Sequence, residues 1–190
     1  MGYLAGRVAG IDIRKVGSGN IGATNVTRTL GRRYGYPVFA VDFMKGAFAV
    51  YISIRWAQFI GGKGTSNEMC GIVGGACCVL GHIFPVWLGF KGGKGVASAA
   101  GALFGLMPLA AAIGAAVWVI TFELTRYVSV ASIISALALP LTVLSLTYAR
   151  RTDGMILFYF TLCLAAIVIV RHRSNLSRLL RGTEPRFKRK

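Results

Sequence analysis

Long stretches of chain without a single charge decide what this sequence can fold into. Residues 95–122, 127–149 and 154–170 contain no Asp, Glu, Lys or Arg, and 69–90 adds only His82. A helix crosses the hydrocarbon core of a bilayer with about 20 residues, and only helices or closed barrels satisfy their backbone there. The runs lack the polar–apolar alternation of barrel strands. Only 15% of the 190 residues are charged and 55% are hydrophobic, against roughly 25% charged in a soluble domain. The sequence therefore predicts an all-α, polytopic transmembrane helix bundle.

The net charge of +16 would suit nucleic acid if it were spread over a soluble surface. Instead it is bunched between the apolar runs. Residues 1–35 are net +5, the tail 171–190 is net +7, and Lys91 and Lys94 add two more. Basic excess in short loops marks the cytoplasmic side, so nucleic acid is not expected as a partner and membrane lipid is. Cys70, Cys77, Cys78 and Cys163 all lie in apolar stretches without a C-x-x-C pair, and they read as packing thiols rather than a metal site.

Span candidates follow from these boundaries. Residues 36–60 form the first, with Asp42 and Lys45 placed i,i+3 to neutralise each other. The loop 61–68 reads as external, and 69–88 returns the chain to the basic loop at Lys91 and Lys94. Keeping 91–95 and 171–190 on one side needs an even number of spans between them. That parity makes 95–124 a hairpin turning at Gly105–Pro108, with arms of about 14 residues, or roughly 21 Å each. Arg150 and Arg151 then fall outside. Residues 1–9 are too short to span and read as the last turns of a helix whose beginning is absent from the sequence. The expectation is a single membrane domain, 1–190, with about six spans.

Three segments carry chemistry. The first, Gly17-Ser18-Gly19-Asn20-Ile21-Gly22-Ala23-Thr24-Asn25 with Arg28, contains a formal G-x-G-x-x-G, but no βαβ context supports a dinucleotide site. Its glycines let backbone N–H groups approach an oxyanion. Ser18, Asn20, Thr24 and Asn25 add neutral donors, and Arg28 offers a phosphate fork. The second is Gly81-His82-Ile83-Phe84-Pro85, then Gly89 to Gly95, with Gly92, Gly93, Lys94 and Gly95 forming a basic glycine loop at a helix N-terminus. No Ser or Thr follows Lys94, so it is not a Walker loop; His82 by itself reads as a packed or interfacial side chain. The third is Arg171-His172-Arg173-Ser174-Asn175. His172 and Asn175 stand i,i+3 and share a face if the helix continues beyond the bilayer. All three are expected on one membrane face.

The strings GSGNIGATNVTR, GHIFPVWLGFKGGKGVAS, RYVSVASI and RHRSNLSRLLRGTE resemble, in order and spacing, the motifs of the bacterial acyl-phosphate:glycerol-3-phosphate acyltransferases. That resemblance implies a seven-helix inner-membrane enzyme whose active site faces the cytoplasm. It would make 1-acylglycerol 3-phosphate and phosphate without metal or cofactor. Carried over by position, it implies catalytic roles for Ser18, Arg28, Lys94, His172 and Asn175. Substrate contacts would come from Gly17, Gly19, Asn20, Gly22, Thr24, Asn25, Gly92, Gly93 and Gly95, with Ser132 (or Ser129) touching phosphate and Glu184 supporting structure. Family members carry an apolar helix ahead of the first motif, of which this sequence keeps only the final turns. Functional coupling to the enzyme that makes acyl phosphate would follow.

Two phosphate-bearing reactants must lie side by side, which calls for Arg28, Lys94 and backbone donors. His172 is either the general base or a positioning group, and a donor phosphate oxygen is the competing base. With no readable Ser-His-Asp set, Ser18 is expected to hydrogen-bond rather than to attack, and transfer to be direct. The rival from another class is an organic-phosphate transporter, but no inverted repeat is visible.

Overall fold

The computed structural model describes residues 1–60, 67–149 and 155–187. Arg150 and Arg151, and most of the loop 61–68, lie outside them. Every regular element among the described residues is helical: α1 Gly2–Val8, α2 Ala23–Leu30, α3 Arg32–Ile60, α4 Asn67–Ile83, α5 Val96–Leu106, α6 Pro108–Thr125, α7 Val128–Tyr148, α8 Ile156–Arg171 and α9 Arg173–Leu180. The chain divides into two compact units, Met1–Leu106 and Met107–Lys190.

Among the described residues four stretches are long and apolar enough to cross a membrane: Arg32–Ile60, Asn67–Leu88, Pro108–Thr125 and Val128–Tyr148. The pair α8 and α9 makes a fifth if counted as one bent span. The break expected near Gly105–Pro108 is present, because Met107 leaves the helix (φ −146°, ψ 76°) and Pro108 opens α6 at its first turn, where its missing N–H costs nothing. The two arms are unequal, 11 and 18 residues rather than two of about 14, since the proline fixes where α6 starts.

In the first unit, α3 is the spine, and α2, α4 and α5 pack on it. Small residues make this possible. A Cβ on Gly101 would come within 1.8 Å of the Phe43 carbonyl oxygen, and one on Gly46 within 2.1 Å of that of Ser98. Backbones that close leave room for glycine only, the usual device where lipid removes the hydrophobic drive between helices. Large side chains point the other way: Phe48, Tyr51, Trp56 and Phe59 on α3 are all exposed, as a lipid-facing surface requires. Beyond the span, Ile13, Ile21, Val26 and Val38 form a buried cluster with Tyr3, Ile11, Leu30, Tyr34 and Leu88 against it. In the second unit α7 packs between α6 and α8, with the Ser135 hydroxyl donating to the Gly114 carbonyl at 2.7 Å.

Candidate functional site

The cluster around Ile13 and Val26 shapes the first motif. Asp12 caps the turn Ile13–Lys15 by accepting from the Arg14 amide, and its carboxylate takes the Arg14 guanidinium at 2.7 and 2.9 Å. Those hydrogen bonds from Arg14 hold the Asp12 carboxyl at about 2, well below its ordinary value. Asn25, 2% exposed, then staples the loop. Its Nδ2 donates to the carbonyls of Ile13 (3.3 Å) and Val16 (3.1 Å), and its Oδ1 accepts from the Ser18 amide at 2.9 Å. Gly17 (φ +59°) must be glycine, because a Cβ there would stand 2.3 Å from Asn25 Oδ1.

This corrects one expectation. Both Asn25 amide hydrogens are committed to the fold and give a ligand nothing. Several backbone donors are spent too: Gly19 donates to the Val16 carbonyl, and Gly22 to Asn20 Oδ1 at 2.8 Å. The loop is instead a rigid mount. It leaves the Ser18 side chain exposed, places Thr24 in the first turn of α2 and sets Arg28 in its last turn.

The glycine loop is also arranged differently from the expectation that its N–H groups aim at an anion. Gly92 donates to the Ile83 carbonyl (3.1 Å) and Gly93 to that of His82 (3.2 Å), so both cap the C-terminus of α4. A Cβ on Gly92 would lie 2.1 Å from the His82 carbonyl oxygen, and one on Gly93 2.1 Å from His82 Nε2. These glycines let the loop lie flat on α4. Gly95 (φ +82°) then turns the chain into α5, whose opening N–H groups precede the first intrahelical bond, Ala99 to Gly95. The positive features of this segment are the Lys94 ammonium and the opening N–H groups of α5, the type of helix start that suits an anion. The Ser98 hydroxyl, 0% exposed and without a hydrogen-bond partner, sits in that first turn. Sequence reasoning missed Ser98, although its place three residues after the turning glycine was a signal. The neighbouring Leu88 packs on the Ile13 cluster, so the first motif and the glycine loop belong to one folded region of the first unit.

Sequence reasoning also missed how far the intramembrane polar residues pair. Lys45 Nζ donates to Asp42 Oδ1 at 2.6 Å, as the i,i+3 spacing suggested, and also to His82 Nδ1 at 2.7 Å. An ammonium can only donate, so the neutral ring carries its hydrogen on Nε2, the atom that lies against Gly93. The available signal was three polar residues isolated in two apolar runs, which must find one another.

In the second unit the helix does not run straight through His172, as the shared-face expectation required; α8 and α9 meet there at 55°. The His172 amide is divided between the carbonyls of Val168 and Ile169, and Nδ1 takes the Val168 oxygen again at 2.7 Å. A side chain competing for the ladder is an established cause of a kink. With Nδ1–H donating, the neutral imidazole keeps its lone pair on Nε2.

Asn175, on α9, is buried and donates to Glu184 Oε1 at 2.6 Å. That same oxygen accepts from Ser129 Oγ at 3.1 Å, while Oε2 accepts from Arg178 Nε at 2.8 Å. Burial pushes the Glu184 carboxyl up, but the donors from Asn175, Arg178 and Ser129 outweigh it and the net shift is down. Ser129 is thus tied to Glu184, whereas Ser132 Oγ accepts from Trp118 Nε1 at 3.1 Å and keeps its own hydrogen to give.

Residues 1–182 match the family model described as glycerol-3-phosphate acyltransferase. A glycerol-3-phosphate acyltransferase of Geobacter sulfurreducens is 44% identical over 187 residues, 98% of this chain and 90% of that protein. One of Aquifex aeolicus is 40% identical, covering 98% and 91%. Among solved structures, PlsY, an integral membrane glycerol 3-phosphate acyltransferase, matches in its glycerol 3-phosphate form with TM-score 0.85 and 40% identity, over 98% of this chain and 88% of that one. Its lysophosphatidic acid form matches with TM-score 0.83 at 39% identity, over 99% and 88%.

Proposed function

The chain belongs to the glycerol-3-phosphate acyltransferase family and is an integral-membrane acyltransferase; from that premise we propose that its donor is acyl phosphate and that it works at the cytoplasmic face of the inner membrane. The glycerol hydroxyl attacks the acyl carbonyl and a new C–O bond forms. The bond to the donor phosphate breaks, and 1-acylglycerol 3-phosphate and inorganic phosphate leave. The observation behind the donor assignment is that the first unit presents two anion-seeking sites, Ser18 with Arg28 and Lys94 with the head of α5. Glycerol 3-phosphate alone needs one, and a donor that itself carries a phosphate, as the mixed anhydride acyl phosphate does, needs the second. A relative crystallised with each of glycerol 3-phosphate and lysophosphatidic acid supports the same substrate class.

Roles follow from the local geometry. Arg28 and Lys94 offset phosphate charge, and Ser18, Ser98 and Ser132 contribute hydroxyls. His172 Nε2, with its lone pair fixed by the bond at Nδ1, either takes the hydroxyl proton or holds the hydroxyl while a donor phosphate oxygen takes it. Asn175, set by Glu184, positions the acceptor. The Ser18 hydroxyl makes no hydrogen bond to a base among the described residues, which favours direct transfer over an acyl-enzyme. A separate enzyme must supply the acyl phosphate, and functional coupling to it follows. The test is a radiolabelled glycerol 3-phosphate assay on purified protein with acyl phosphate, acyl-CoA and acyl carrier protein as donors. Product from acyl phosphate alone is expected; equal use of acyl-CoA, or glycerol 3-phosphate flux into vesicles without turnover, would overturn the assignment. A His172→Gln arm separates the two bases: loss of the acidic limb of the pH–rate profile, where the rate falls as a base is protonated, assigns His172, and a retained profile assigns the donor phosphate.

A further inference from the structure

The ring of His82 is engaged at both edges, and one of them carries the glycine loop. At the first edge Nδ1 accepts from Lys45 Nζ at 2.7 Å, and Lys45 is itself fixed by Asp42 Oδ1 at 2.6 Å. At the second edge Nε2 lies only 2.1 Å from where a Cβ on Gly93 would stand, with Cδ2 and Cε1 each at 3.0 Å from it. The His82 carbonyl accepts the Gly93 N–H as well, at 3.2 Å. One residue therefore meets Gly93 with both its main chain and its ring. The side chains of His82 and Asp42 are 6% and 2% exposed, so these contacts are made inside the first unit and do not involve the open side of Lys45.

Two successive glycines ahead of Lys94 give the loop wide backbone freedom, and they bring no side chain to hold their own place. Freedom there is passed on to the Lys94 ammonium. A ring beneath Gly93 removes it only if the ring is itself immobile. The terminal torsion of a histidine is broad and roughly two-fold, but an ammonium at Nδ1 demands an acceptor and keeps the ring hydrogen on Nε2. Charged groups inside an apolar span are expensive, and a buried ion pair adds little to stability, so a task of this kind accounts for them. We propose that Asp42, Lys45 and His82 are positioning residues for acyl transfer: a brace from α3 through the end of α4 that fixes the glycine loop and, with it, Lys94. The inference rests on the reading that Lys94 meets a substrate phosphate.

The test measures KM for glycerol 3-phosphate and for the acyl donor in the full chain, in lipid of fixed composition and well below every unfolding midpoint. Lys94→Met supplies the reference pattern. His82→Asn keeps an acceptor where Nδ1 stands but loses the edge against Gly93. His82→Gln reaches Gly93 but leaves Lys45 without its second acceptor. Both leave the Asp42–Lys45 pair in place, and Asp42→Asn with Lys45→Met removes the anchor without burying a lone charge. Each variant is expected to raise about ten-fold the KM that Lys94→Met raises, since a misplacement near 1 Å can cost up to about a hundred-fold, and to leave any KM that Lys94→Met spares within two-fold. Combined with Lys94→Met, each should cost less than a further two-fold, because no ammonium remains to be positioned. Effects that multiply with that of Lys94→Met, a different pattern between the two substrates, or wild-type constants in all three variants would overturn the inference. Lys94→Met with both KM values unchanged is a separate result: it removes Lys94 from the site and withdraws that reading together with the brace.

Discussion

Replacing Glu184 with glutamine changes one atom and should cost both stability and activity. The carboxylate accepts three hydrogen bonds: from Asn175 at 2.6 Å, Arg178 at 2.8 Å and Ser129 at 3.1 Å. Its side chain is 2% exposed, so water does not replace what is lost. Glutamine keeps one acceptor oxygen and turns an NH₂ toward the remaining donors. If the oxygen serves Asn175 and Ser129, the amide opposes the Arg178 guanidinium; if it serves Arg178, Asn175 loses its partner. Either way one charge-assisted bond, worth about 1.5–3 kcal/mol, goes, and where the unmet donor is the buried Asn175 about 1–3 kcal/mol is added. With partial relaxation the expected loss is about 2–4 kcal/mol. For a chain of this length that lowers Tm by roughly 4–16 °C. The assay is thermal unfolding of purified protein in one detergent, with acyl transfer measured well below both midpoints. There kcat/KM should still fall, because Asn175 is no longer fixed. A Glu184→Gln protein with a wild-type Tm and unchanged kcat/KM would refute the reasoning.

Two further outcomes follow from the same geometry. Gly101→Ala should destabilise by about 1–3 kcal/mol or more, because its Cβ would meet the Phe43 carbonyl at 1.8 Å, whereas Gly81→Ala, with nothing within 4 Å, should be neutral; thermal unfolding of the pair checks it, and equal midpoints would contradict the close α3–α5 seam. The Glu184 carboxyl is depressed in the fold, so its contribution is full above its ordinary value near 4.5 and is lost as pH falls through the folded value. Stability of the wild type should therefore decline on acidification below about pH 4.5 more steeply than that of Glu184→Gln, and parallel curves would count against the hub.

The helical membrane class was legible because charge-free runs leave the backbone few other solutions. The break before Pro108 and the Asp42–Lys45 pair were readable for the same reason, since a proline and a charge inside an apolar run each have few ways to be accommodated. The site was legible in type but not in use. Residue identities announced anion donors at Asn25, Gly92 and Gly93, yet hydrogen bonds to Ile13, Val16, Ile83 and His82 consume those groups. Such commitments depend on neighbours distant in sequence. Spacing does not encode them. The Glu184 hub is the clearer example: Ser129 is 55 positions away, beyond any helical period. The bend at His172 was likewise invisible, because it comes from a side chain competing with its own helix for the Val168 carbonyl.

The most direct test of the central claim is the stoichiometry of transfer in the purified protein. Acyl phosphate and labelled glycerol 3-phosphate are mixed, and phosphate and lysophosphatidic acid are counted against intact protein mass. Direct transfer predicts one phosphate released per lysophosphatidic acid formed, no phosphate burst when glycerol 3-phosphate is omitted, and a protein mass that never gains an acyl group. A burst without acceptor, matched by an acylated Ser18, would contradict it.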